Sequence, residues 1–306
     1  MMKSVLIVDG TAVAYRAFYA VRGLSTRDGT PTNALFGFIR MIRQLEAQWG
    51  PDRLVVTFDG GSPAHRLAKC PDYKAQRSPM PDELRTQLPL INEFLDTAGI
   101  PMILIDAQEA DDVMATLAVR ATTAGTLVRL ATSDKDLMQL VSERVRIVPP
   151  TKTDTELDPA GVEAKTGVRP SQIVDWLALI GDVADNIPGV MGIGPKTATK
   201  LLVQYGSLEA ALAQIEQITP PGLRDKMRSG SETARLNVEL MTLDGAVPDV
   251  PEWKDIPPPA PDLAGLKAFY EKYELHRFVT ELNRQPSAAP RAAPPPPPPT
   301  QQLELF

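Results

Sequence analysis

The sequence predicts an α/β fold, a parallel central sheet flanked by helices, followed by a second, helical unit. Three observations predict it. Short apolar, β-branched runs end in an acid at 4–10 (SVLIVDG), 53–60 (RLVVTFDG) and 127–136 (LVRLATSDKD). Helical patterns at 33–48, 82–98 and 109–124 lie among them, and after residue 150 the alternation gives way to helix-like periodicity.

Composition narrows the class. The chain has 306 residues, an ordinary 43% hydrophobic and 23% charged content, and a single cysteine, Cys70. No internal disulfide can form, and a reducing compartment is expected. The opening MMKSVLIVDG is too short an apolar run for a signal peptide, and no stretch reaches the roughly 20 apolar residues of a membrane span. A cytoplasmic protein without membrane contact is expected. The formal net charge of −6 argues at first against a nucleic-acid partner. Setting nine of the 38 acids aside as one site leaves 29 against 32 basic side chains, so an acidic total is compatible with a basic face.

The nine acids are found by following the elements in order. Asp9, Asp59 and Asp134 stand at strand ends, where open parallel sheets carry their sites. For any one of them Asp-Gly turn chemistry is an equal alternative. The helix at 109–124 opens with Glu109, Asp111 and Asp112, three acids in four positions. At an effective dielectric near 20, two unit charges ~6 Å apart repel by about 3 kcal/mol. A helix N-terminus returns only about 0.3–1 kcal/mol. Such a cluster is either a strongly solvated surface or a cation cage.

Residues 61–81 (GSPAHRLAKCPDYKAQRSPMP) interrupt the alternation with a basic, proline-punctuated insertion carrying Arg66, Lys69, Tyr73, Lys74 and Arg77. Solvated surface is the default for such cations, although long loops on a rigid scaffold often carry function. Residues 171–206 read as helix, loop, helix, with the second helix starting near Pro195. Gly189, Gly192 and Gly194 leave backbone N–H groups open to an anion, and Lys196, Thr197 and Lys200 follow in the helix. Just upstream, GDVADN supplies Asp182 and Asp185, and Asp136 completes the nine. With two histidines and one cysteine, a zinc site is disfavoured, whereas many carboxylates suit Mg²⁺ or Mn²⁺. Two such ions about 3.5–4 Å apart clamp the attacking and leaving oxygens of a phosphoryl displacement. Residues 207–285 look mostly helical, with a proline-rich crossing at 248–261. From 286 the chain becomes a polyproline linker, QPSAAPRAAPPPPPPT, ending in QQLELF.

These residues carry a resemblance. VDGTAVAYRAFYA, VVTFDG, YKAQR, EADDVMATLA, TSDKDLMQL, GDVADNIPGVMGIGPKTA and FYEKYELHRF resemble the 5′ nuclease domain of bacterial DNA polymerase I, within the flap endonuclease superfamily, over residues 3–285. The resemblance implies a PIN-like 5′ nuclease fold. Residues 1–165 would form the nuclease domain, with a helical arch at about 61–90. Residues 166–285 would hold a helix-three-turn-helix and a C-terminal helical domain, and 286–306 a disordered tail. Asp9, Asp59, Glu109, Asp111, Asp112, Asp134 and Asp136 would line an inner metal site, with Asp182 and Asp185 in an outer one. Tyr73 would stack on a base, Lys74 and Arg77 would meet the scissile phosphate, and Arg16 would be a further phosphate contact. The backbone at 189–194 would hold duplex DNA without reading its sequence, with K⁺ as a possible ion there. The implied activity is metal-dependent hydrolysis of 5′ flaps, nicks and RNA primers, by a monomer on DNA near the nucleoid.

Two departures stand out. Ser133 replaces the glycine of a Gly-Asp-Lys-Asp pattern, and the resemblance stops at the nuclease domain without proofreading or polymerase motifs, so a stand-alone nuclease is expected. QLELF resembles the pentapeptide by which bacterial proteins bind the replication sliding clamp, with Gln302, Leu303, Leu305 and Phe306 as its anchors. Tethering through it would raise effective concentration at the primer terminus. Two other readings compete: a PIN-type ribonuclease, which the basic insertion and the helix-three-turn-helix disfavour, and a catalytically weak DNA-structure binder, which predicts eroded carboxylates.

Overall fold

Branched apolar residues in an unbroken run bury both faces of a strand. In the computed structural model, which describes residues 3–151 and 155–284, β1 (Ser4–Asp9) is the central strand of five. Its companions are β2 (Arg53–Phe58), β3 (Met102–Leu104), β4 (Leu127–Ala131) and β5 (Val145–Ile147). The order is β3-β2-β1-β4-β5 with every pair parallel. Asp9 pairs with Thr57 and Val8 with Ala131, so the chain leaves all three central strands at one edge. The outer strands β3 and β5 have three residues each, too short for a periodicity to show in the sequence.

Alternate residues of β1 enter opposite cores. Leu6 and Val8 pack with α1 (Gly10–Ala20) and α2 (Asn33–Trp49). The insertion holds α3 (Ala64–Lys69), and α4 (Asp82–Arg85) and α5 (Leu88–Thr97) lead to β3. One helix was expected over 82–98. The chain instead breaks at Thr86–Gln87, ahead of Pro89, which has no N–H to continue a helical ladder. Buried Gln87 uses the break to accept the N–H groups of Ala34 and Leu35 at 2.8 and 3.1 Å.

Val5 and Ile7 face the other core, shared with α6 (Ala110–Thr123). That cluster continues into α7 (Pro159–Thr166), α8 (Ile173–Ile180), the two-stranded hairpin β6 (Gly181–Asp182) and β7 (Ile187–Pro188), α9 (Pro195–Tyr205), α10 (Leu208–Ala213), α11 (Pro221–Ser229) and α12 (Ser231–Met241). Each fully buried Leu, Ile or Val there contributes about 1.5–3 kcal/mol. The chain then returns through α13 (Leu263–Lys272) and α14 (His276–Arg284) to the first core, where Phe269, Tyr270 and Phe278 are buried. Among the described residues no helix is long and apolar enough to cross a membrane.

Candidate metal centre and nucleic-acid interface

Strand ends and helix starts assemble the first group of acids. Asp9 caps α1, accepting the Ala12 N–H at 2.9 Å through Oδ1 and the buried Thr132 hydroxyl at 3.2 Å through Oδ2. Asp59 accepts the Ala110 N–H at 2.9 Å, and so holds the first turn of α6 against β2. Asp134 accepts the Asp136 N–H at 2.9 Å. With Asp111 they line one cleft of about 590 Å³, which Lys74 and Arg77 also reach. Tyr15, Phe58, Met80 and Leu88 give the cleft an apolar wall, and Thr11, Ser78 and Asn92 add polar groups to its lining.

None of these four carboxylates has an ion-pair partner among the described residues. Burial, reinforced by mutual repulsion, therefore raises three of them, Asp9, Asp111 and Asp134, above the ordinary carboxylate range. Withdrawal from water lifts Asp9 to about 7, and the charges of Asp59 and Asp134 add to the shift. Asp111 is raised well above the carboxylate range, first by burial and then by Asp9, Asp134 and Asp59. Asp134 is raised chiefly by desolvation, although part of its side chain reaches the cleft mouth.

A second group stands beside it. Carboxylate oxygens of Asp136, Asp182 and Asp185 lie within 4.8 Å of one another. Asp136 was expected in the inner set; the 3-10 turn at 136–140 carries it instead toward the β6–β7 hairpin. Its Oδ1 is buried with no hydrogen-bond partner, and burial followed by the charge of Asp134 pushes it up to about 8. An orphaned buried oxygen among hard carboxylate donors fits a divalent cation.

Several of the nine acids have ion-pair partners of this chain, two of them in the second group. Asp112 was expected in the inner site, but it points away from the cleft and is fully buried, taking the Arg66 guanidinium at 2.6 and 2.9 Å. Its neighbour Asp111 lies ~100° away around the helix and faces the cleft. Glu109 also leaves the inner group: it meets Arg66, Lys74 and, at 3.1 Å, the Tyr73 hydroxyl. Asp182 pairs with Lys135 at 3.2 Å, and Asp185 with Arg77 at 2.6 Å and Lys74 at 3.7 Å.

The insertion thus lies over the acids. Lys74 adopts a left-handed φ of 58° while its N–H bonds the Asp185 carbonyl at 3.0 Å. Such a conformation costs a non-glycine residue about 1–2 kcal/mol, here offset by the ion pairs its side chain gains. Tyr73, expected to stack on a base, is instead only 6% exposed, its ring packed in the core and its hydroxyl donating to Glu109 and Asp185. Arg16 donates to Ser133 Oγ at 2.6 Å, so the serine that departs from the glycine pattern has acquired a partner at the site.

The helix–loop–helix forms as read. The hairpin separates α8 from α9, and Gly194 precedes the first turn of α9, where Lys196 and Lys200 are exposed and Thr197 is half-buried. At Gly189 a Cβ would stand 2.3 Å from the Ile180 carbonyl carbon, so only glycine lets the loop close on α8. Gly192 has φ +75°, and its carbonyl accepts Lys226 Nζ at 3.2 Å. Asn237 of α12, buried, donates to the carbonyls of Ala178 and Pro188 at 2.9 and 2.8 Å and holds the motif in place.

Sequence reasoning missed the partners rather than the acids. Arg66 was counted as an ordinary cation of the insertion, and Lys135, Thr132, Lys226 and Asn237 were not singled out. For Arg66 and Asp112 a signal existed: Glu109, Asp112 and Thr116 fall at i, i+3 and i+7, a single face of α6, and all three are buried. Gln302, Leu303, Leu305 and Phe306 lie outside the described residues.

Residues 4–167 match a family model described as the N-terminal resolvase-like domain of 5′-3′ exonuclease, and 168–264 match its C-terminal SAM fold. A 5′-3′ exonuclease of Aquifex aeolicus is 39% identical over 92% of this chain and 96% of its own length. The thermostable DNA polymerase I of Thermus thermophilus is 39% identical over 94% of this chain. The chain spans 34% of that polymerase's length. Among solved structures, T5 5′-exonuclease with bound zinc gives a TM-score of 0.66 at 21% identity, over 92% of this chain and 98% of that one. The catalytic core of Rad2 with a DNA substrate gives 0.63 at 18%, over 92% and 91%. These two likenesses concern the fold.

Proposed function

Because the chain belongs to the 5′-3′ exonuclease family, we propose that it is a divalent-metal-dependent 5′ nuclease acting on DNA with 5′ flaps or nicks and on RNA primers. One observation carries the proposal: Asp9, Asp59, Asp111 and Asp134 share a cleft with Lys74 and Arg77, and none of the four has an ion-pair partner among the described residues. Those four would hold one ion, and Asp136, Asp182 and Asp185 another, Mg²⁺ or Mn²⁺ by donor chemistry. Bound there, such ions supply charge stabilisation and activate water for attack on a phosphodiester.

The chain's own groups do the rest. Lys74 and Arg77 bring two permanent positive charges to the cleft, where charge on a phosphoryl oxygen is worth more than in water. Glu109 and Asp185 hold these cations in place, through the Arg77–Asp185 contact at 2.6 Å and the Lys74 contacts. Tyr73 helps hold both carboxylates and is a positioning group. Thr132 and the Ala12 N–H orient Asp9. The loop at 189–194 with Lys196, Thr197 and Lys200 would grip the duplex backbone through amides and ammonium groups, and this fixes register without reading sequence. A K⁺ ion there would share the loop with Lys226 Nζ. Arg16, presented by Ser133, would meet a further phosphate.

The reading extends to partners. The segment Gln302, Leu303, Leu305, Phe306 would dock on the sliding clamp, and the protein would act as a monomer in the cytoplasm near the nucleoid. A pull-down with the clamp before and after deletion of 302–306 tests this part alone. The nuclease reading is tested with a 5′-labelled double-flap DNA incubated with protein in Mg²⁺, in EDTA, and as Asp111→Asn in Mg²⁺. Cleavage near the junction in the first tube only is expected. An intact flap in all three, with a gel shift, would replace the nuclease by a DNA-structure binder.

A further inference from the structure

Arg66 is the largest fully buried side chain of the described protein, 1% exposed, although it comes from the basic insertion. Its guanidinium fork is spent on two separate segments. It bonds Asp112 twice, at 2.6 and 2.9 Å, and meets Glu109, both at the start of α6. Nε donates to the Leu240 carbonyl at 2.9 Å and Nη2 to that of Thr242 at 3.2 Å, at the end of α12. The Asp244 N–H closes on Asp112 Oδ1 at 2.8 Å from the same end. From Glu109 the chain of contacts passes to Tyr73 and Lys74, then to Asp185 and Arg77. On the far side, α12 carries Asn237, which fastens the β6–β7 hairpin.

We infer that Arg66 is a positioning residue: it locks the insertion to α6 and to the end of α12, and through Glu109 it sets where Lys74 and Arg77 stand over the cleft. The inference rests on the nuclease reading above, in which those two cations meet the phosphate. Asp112 is accordingly the counter-charge of Arg66 and not a metal ligand. The planar fork is essential. A lysine ammonium keeps the charge but cannot span a carboxylate bidentately while also reaching a second carboxylate and two carbonyls.

The test compares wild type, Arg66→Lys, and the double variant Arg66→Met with Asp112→Asn, which removes the buried charge of both partners. Four quantities are read for each: melting temperature, Kd for nicked duplex in Ca²⁺, single-turnover cleavage rate of a labelled 5′ flap, and trypsin sensitivity within 61–81. Assays run below each protein's own melting temperature. Both variants are expected to cut roughly tenfold to a hundredfold more slowly, the scale of a 1 Å misplacement. Kd stays at the wild-type value, and trypsin cleaves the insertion faster. Arg66→Lys cutting at the wild-type rate overturns the inference. So does a parallel fall of rate, duplex affinity and melting temperature, the pattern of a residue that only supports the fold. An intact flap with wild-type protein is a separate outcome, and it rejects the nuclease reading itself.

Discussion

Asp111 and Asp112 are adjacent in the chain and opposite in condition. Asp112 is buried against Arg66, which returns its full charge at 2.6 and 2.9 Å. Asp111 faces Asp9, Asp59 and Asp134, which add to its repulsion, and its own carboxyl is held far above the ordinary range. The contrast extends to the regions around them. On the insertion side, Glu109 and Asp112 each have a lysine or arginine of the insertion. In the cleft, Asp9, Asp59, Asp111 and Asp134 have none among the described residues. In the proposed reading, the acids left without a cation of this chain are the ones that would take a cation from outside.

The largest expected effect comes from altering the bare set. Asp111→Asn should lower flap cleavage in Mg²⁺ by about a thousandfold or more, the loss of several kcal/mol of transition-state charge stabilisation. The same change should raise the melting temperature in EDTA at pH 8, because it removes a carboxyl that must on folding either take up a proton or stand charged and buried among other acids. A fall in stability there would place Asp111 with the paired acids.

Altering the paired set should do the reverse. Arg66→Met leaves Asp112 buried without its counter-charge and should cost about 3–5 kcal/mol of stability, measured by urea unfolding in EDTA. Little loss would mean that water reaches Asp112 and the two sets are not distinct.

The pH dependence separates the sets without mutation. A carboxyl whose pKa is higher in the folded than in the unfolded chain keeps its proton on folding, so stability falls as pH rises between the two values. Asp9 and Asp136, with ordinary values of 3.8 and folded values of about 7 and about 8, define a window from about pH 4 to 8. Unfolding in EDTA should become easier across it, by up to about 1.4 kcal/mol per pH unit for each proton held. Saturating Mg²⁺ should flatten or reverse the slope. A slope that is the same with and without the metal would detach the acids from it.

The smallest effect lies away from both sets. Gly192 holds φ +75°, so Gly192→Ala should strain the loop by about 1 kcal/mol and weaken binding to nicked duplex roughly fivefold, with the single-turnover rate unchanged. Fluorescence anisotropy beside a rapid-quench rate checks both halves.

The strand-end acids, the crowded helix start and the loop ahead of α9 were legible in the sequence because each is local. Asp9, Asp59 and Asp134 sit at ends of apolar runs, and Pro195 marks a helix start within its own neighbourhood. What could not be read was orientation set by distant partners. Asp112 turns inward for an arginine 46 positions away, and Tyr73 is drawn inward partly by Asp185, 112 positions away. Asp136 is grouped with Asp182 and Asp185 by a short 3-10 turn that carries no strong sequence signal. Residue type announced the chemistry, whereas tertiary contacts assigned each acid its side.

The claim that the bare acids await a cation is tested most directly by titrating Mn²⁺ into wild type, Asp111→Asn and Asp112→Asn and following bound ion by electron paramagnetic resonance. Wild type and Asp112→Asn should bind with the same affinity, and Asp111→Asn should lose a tight site. Equal loss in both variants, or no tight site in wild type, would contradict the division between bare and paired carboxylates.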